Sequence, residues 1–121
     1  MKDLLQGLPN VHIGVVSSDL GTGQFDGVLG CRLGGDAGRF QNTPRAGGCA
    51  GPRDAYIRAV GDDRNFDGDI DQVFSCIASL GTNGCGFEHQ LQSVRAALDP
   101  QLMPAENEGF LRQEAALAII L

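Results

Sequence analysis

The side chains best placed to do chemistry gather in FSCIASLGTNGCGFEHQ, residues 74–90. Cys76 and Cys85 enclose a glycine-rich turn, Gly81-Thr82-Asn83-Gly84, with one hydroxyl and one amide at its crest. A threonine on a loop held still can ligate a hard cation such as Mg2+, or it can cap the helix that follows. Asn83 and Glu88 read as a cap and a first-turn acid. His89 stands beside Glu88 and near Cys85, but a Cys–His nucleophile needs a thiol that is not bonded elsewhere.

A second candidate is DRNFDGDIDQVF, residues 63–74. Asp63, Asn65, Asp67, Gly68, Ile70 and Asp71 fit the Ca2+ loop of EF-hand and dockerin modules. There, oxygen side chains at alternate positions wrap one ion and glycine permits the sharp turn. Asp63, Asn65, Asp67 and Asp69 form the alternative ligand set. The twelfth position of such a loop should be a bidentate acid, and here it is Phe74. Without an ion, Asp67 and Asp69 are the caps of a helix.

Composition narrows the classes. The net charge of −6 and the scatter of Arg39, Arg45, Arg53, Arg58 and Arg64 among acids argue against nucleic acid as a partner. No apolar run reaches the ~18–20 residues of a membrane span, and MKDLLQGLPN lacks the pattern of a signal peptide. The even set Cys31, Cys49, Cys76 and Cys85 contains no C-x-x-C pair, and His12 and His89 lie outside zinc-finger spacing. Disulfides are expected, paired by proximity as Cys31–Cys49 and Cys76–Cys85, which implies an oxidising compartment. No G-x-S-x-G, H-E-x-x-H or phosphate loop occurs, so no enzyme class is indicated.

The elements that must position these residues follow from periodicity. Residues 2–8 read as the end of a helix, broken at Leu8-Pro9-Asn10. VHIGVV, with Val11, Ile13, Val15 and Val16, reads as a buried strand ending at Ser17-Ser18-Asp19. Residues 20–55 are an irregular, disulfide-stapled excursion, and AYIRAV (55–60) a short strand. Ile70, Val73, Phe74, Ile77 and Leu80 form the apolar stripe of a helix. Another helix is predicted over 86–98 with Phe87, Leu91, Val94 and Leu98 on its buried face, ended by Asp99-Pro100. AALAIIL (115–121) reads as a fully buried parallel strand. The order implies an α/β fold whose parallel sheet is covered on both faces, with ligands beyond the carboxyl ends of the strands.

Three segments, LPNVHIGVVSSDLG, NFDGDIDQVFSCIASLGTNGCGFEHQLQSVRAAL and GFLRQEAALAIIL, resemble bacterial exported proteins with a von Willebrand factor A (VWA) domain. The likeness covers most of the chain and is weakest over 20–55. It implies a doubly wound, Rossmann-like sheet with a metal-ion-dependent adhesion site, usually holding Mg2+. In that family the ion is bound by an Asp-x-Ser-x-Ser after the first strand, a threonine before a middle helix, and an aspartate after the fourth strand. Thr82 matches the threonine; the other two segments have no counterpart here. The resemblance therefore implies one truncated VWA-like domain over 1–121, lacking the first central strand and everything after the fourth. VHIGVV and LAIIL are then expected to pair directly, and Mg2+ to bind weakly. The implied function is non-catalytic binding or adhesion in an extracytoplasmic parent protein, where a protein or surface ligand completes the ion's shell. The alternative is a Ca2+-binding module centred on Asp63–Asp71.

Overall fold

The computed structural model describes residues 10–121, so the helix end expected over 2–8 lies outside it. Its described part is mixed α/β: a three-stranded antiparallel sheet, two helices and long irregular connections. Contacts group it into two compact units, one formed by residues 10–15 and 40–81, the other by 16–39 and 82–121.

In the first unit, β1 (Asn10–Ile13) pairs antiparallel with β2 (Ile57–Val60), placing Val11 opposite Ala59 and Ile13 opposite Ile57. β2 turns at Gly61-Asp62 into β3 (Asp63–Arg64). Gly61 supplies the positive φ that a two-residue hairpin needs at its first central position. The predicted strand at AYIRAV is therefore present. The predicted VHIGVV strand is present but shorter and half-buried. It stops where Gly14 admits the ring of Phe40, since a Cβ there would lie 2.4 Å from a ring carbon.

Helix α1 (Ile70–Ala78) follows the predicted stripe through Ile77, and Leu80 lies beyond its end. Val73 and Ile77 are buried with Ile57, Ala59 and Phe66; Ile70, Phe74, Val11, Ile13 and Val15 pack around them. Fully burying a side chain the size of Ile77 stabilises by roughly 2–3 kcal/mol. Asp69 takes the N-cap position, yet its carboxylate makes no capping hydrogen bond. Asp67 instead pairs with Arg53, its Oδ1 3.1 Å from Nη1.

The second unit is built round helix α2 (Gln90–Leu98). Its buried residues are Ser93 and Ala97, not the predicted Phe87 and Leu91, which stay 55% and 71% exposed. Close backbone approach decides this. Gly38, at φ +76°, sits so near the helix that a Cβ would lie 2.8 Å from Ala96 and Ala97. Buried Asn107 donates from Nδ2 to the carbonyls of Gly38 (2.8 Å) and Ala97 (3.2 Å), satisfying one of the helix's terminal acceptors. Only small residues fit at such a contact.

Four expectations are corrected. The sheet is antiparallel, and β1 pairs with β2, not with LAIIL. Residues 115–121 form no strand in this structure, and Leu117, Ile119, Ile120 and Leu121 are exposed. An apolar run becomes a buried strand only where a neighbouring strand takes its N–H and C=O groups. The cysteine pairing also differs. The bonds are Cys31–Cys85 and Cys49–Cys76, with Cα separations of 4.3 and 5.7 Å, not Cys31–Cys49 and Cys76–Cys85. Each bond lies within one unit, because folding, not sequence proximity, brings thiols together.

Candidate functional site

The Thr82–His89 segment is held from behind by Asp19, a residue the sequence reading left as the end of a strand. Asp19 is 8% exposed. Its Oδ1 accepts a 2.8 Å hydrogen bond from the Gly21 N–H, closing a tight Asx turn. Its Oδ2 accepts from the Cys85 N–H at 3.3 Å. The Asp19 carbonyl accepts from the Asp36 N–H at 2.8 Å, and residue 19 bridges Glu88 across an isolated antiparallel contact. One short acid thus ties three chain segments together.

Glycines make that possible. At Gly35 a Cβ would stand 2.3 Å from Asp19 Oδ1, and at Gly84 it would stand 3.3 Å from Oδ2. The available sequence signal was the Asp-x-Gly of Asp19-Leu20-Gly21, an Asx-turn pattern.

Further ties flank the hub. The hydroxyl of Ser18 donates to the Glu88 carboxylate, and the His89 N–H donates to the Ser18 carbonyl at 3.0 Å. Ser17 Oγ donates to Asp36 Oδ2 at 2.5 Å, and Arg32 Nη2 reaches Asp36 Oδ1 at 2.6 Å. Cys85, 3% exposed, carries the covalent tie to Cys31. Glu88 and His89 are therefore anchors of this loop, and Cys85 has no thiol to activate.

Thr82 lies three residues before the anchored Cys85 and is exposed, as are Asn83 and Gly84. Among the described residues its hydroxyl has no hydrogen-bond partner. The loop is thus fixed at its base, with the Thr82 hydroxyl open at its crest. Such a crest can offer oxygen ligands to a cation or a polar partner without reordering the chain.

The other candidate set is drawn in different directions. Asp63 accepts from Arg58 Nη1, and Asp67 from Arg53 Nη1. Asn65 is 3% exposed and fully engaged: its Oδ1 accepts from the Arg58 N–H at 2.8 Å, while Nδ2 donates to the Tyr56 carbonyl at 2.7 Å. Asp69 caps α1 by position alone. The hydrogen bond from Arg58 to Asp63, with the charges of Asp63 and Asp54, raises the Arg58 guanidinium above its ordinary value, so it stays cationic. Among the described residues, no three His, Cys, Asp or Glu side chains converge in metal-binding geometry.

Comparison with family models, curated proteins and solved structures returned no match. Among the described residues, no helix is long and apolar enough to cross a membrane.

Proposed function

We propose that the chain serves binding, not catalysis, as part of a VWA-like domain of an extracytoplasmic protein, with Thr82 as a cation ligand at the contact. The observation that carries this reading is an exposed hydroxyl on a loop locked through Cys85 to both Cys31 and Asp19. A loop given two ties at its base while the Thr82 hydroxyl remains open suits recognition. The two disulfides support an oxidising compartment. The VWA assignment rests on the motifs around VHIGVVSSDLG, LGTNGCGFE and GFLR, and implies Mg2+ completed by a carboxylate from a protein or surface ligand.

One neutral hydroxyl holds Mg2+ poorly, because the ion wants near-octahedral oxygen ligation and ordinarily takes carboxylates. Binding to this chain alone is therefore expected only at millimolar Mg2+. The test is an amide NMR titration with MgCl2 and, separately, CaCl2. Shifts centred on Thr82–Cys85 that vanish in Thr82→Ala support the reading. Shifts centred on Asp63–Asp71 would favour the Ca2+ module instead, after displacement of Arg58 and Arg53 from their acids. No saturable shift in either segment up to tens of millimolar defeats both.

A further inference from the structure

The two disulfides stand in different surroundings. Cys85 is 3% exposed and Cys31 half-buried, whereas Cys49 is exposed and Cys76 half-buried. Around Cys49 the chain has no regular secondary structure. Gly47 and Gly48 beside it leave open space, with no atom within 4 Å of where a Cβ would project. Cys49 is thus the most exposed of the four half-cystines and Cys85 the least, which favours attack on the Cys49–Cys76 bond.

What the Cys49–Cys76 bond holds also matters. Segment 42–51 is closed at its base without it: Asn42 Nδ2 donates to the Asp54 carbonyl at 3.1 Å. Gly51 lies so close to residue 42 that a Cβ would stand 1.9 Å from the Asn42 carbonyl oxygen. Arg45 donates to the Leu80 carbonyl at 3.3 Å and to Gln41 Oε1 at 3.1 Å. At the other end, α1 keeps its place through Val73 and Ile77 in the core. Breaking the bond releases the tip of the segment while both supports remain.

We propose that Cys49–Cys76 is a redox-addressable site, opened by a dithiol reductant while Cys31–Cys85 persists. One thiolate of the dithiol attacks Cys49 Sγ, the S–S bond breaks, and Cys76 leaves as thiolate and takes up a proton. The dithiol's second thiol then displaces Cys49 from the mixed disulfide. Net, two electrons and two protons pass from the dithiol, which is oxidised to its own disulfide, to the Cys49–Cys76 pair. The consequence is a segment at 42–51 that is covalently tethered in one redox state and held only by these hydrogen bonds in the other. This inference is independent of whether Thr82 meets a cation.

The test uses the oxidised full chain with graded dithiothreitol at pH 8 and no denaturant, trapped with N-ethylmaleimide and mapped by peptide mass. Cys49 and Cys76 are expected to be labelled together about ten times faster, or more, than Cys31 and Cys85, since exchange rates follow access to the attacked sulfur. Trypsin should then cut after Arg45 sooner in the two-thiol form than in the oxidised form. Opening of both disulfides in one step, or of Cys31–Cys85 first, overturns the proposal. The double variant Cys49→Ser/Cys76→Ser gives a second reading. Retained amide protection in β2 and α1, with faster cleavage at Arg45, supports it; global loss of protection refutes it.

Discussion

Replacing Asp19 with alanine is the sharpest probe of what holds the Thr82 loop. The buried carboxylate accepts from Gly21 at 2.8 Å and from Cys85 at 3.3 Å. Hydrogen bonds to a charged acceptor contribute about 1.5–3 kcal/mol each, and an orphaned buried donor costs about 1–3 kcal/mol. The Gly21 bond is short and takes the upper part of that range; the longer Cys85 bond takes the lower. A loss of roughly 4–5 kcal/mol is expected for Asp19→Ala. Asp19→Asn keeps one oxygen for Gly21 but turns an amide donor toward the Cys85 N–H, so about half that loss is expected. Urea unfolding at neutral pH with both disulfides intact measures it; at ~1–2 kcal/mol per molar, the alanine variant should lower the midpoint by at least about 2 M. Hydrogen exchange supplies the local check, with the Gly21 and Cys85 amides losing protection before those of β2. If Asp19→Ala falls within about 0.5 kcal/mol of the wild type, the carboxylate is not the anchor and the rigid-loop argument fails with it.

Other perturbations test separate parts of the structure. Removing the buried Cys31–Cys85 bond, which spans 54 residues, as Cys31→Ser/Cys85→Ser should cost about 4 kcal/mol in the loop-entropy account, read from the same denaturation curves. Asn107→Ala breaks two buried hydrogen bonds, to Gly38 and Ala97, so about 2–3 kcal/mol should be lost with faster amide exchange along α2. Gly14→Ala drives a methyl into the Phe40 ring and should cost about 1–3 kcal/mol through overpacking, visible as a shifted Phe40 ring resonance. Deleting residues 115–121, which are exposed and form no strand in this structure, should change stability by no more than about 0.5 kcal/mol. A loss of several kcal/mol on calorimetry would mean that AALAIIL is the buried strand its pattern suggests.

Periodicity and local chemistry were enough to place several elements. The stripe Ile70, Val73, Phe74, Ile77 predicted α1 and four of its core contacts, because a helix buries one face whatever it packs against. Alternation in VHIGVV and the β-branched AYIRAV marked β1 and β2, and an even cysteine count pointed to disulfides. Partner choice is where the sequence misled, pairing VHIGVV with LAIIL and the cysteines by proximity. A strand's pattern records how much of it can be buried, not which neighbour receives its hydrogen bonds, so β1 found β2 and AALAIIL found none. Likewise α2 turned Ser93 and Ala97 inward because Gly38 approaches its backbone, and residue 38 lies far from α2 in sequence. Cysteine pairing and the role of Asp19 have the same origin: both depend on residues that meet only after distant segments have packed, and local spacing carries no record of that meeting.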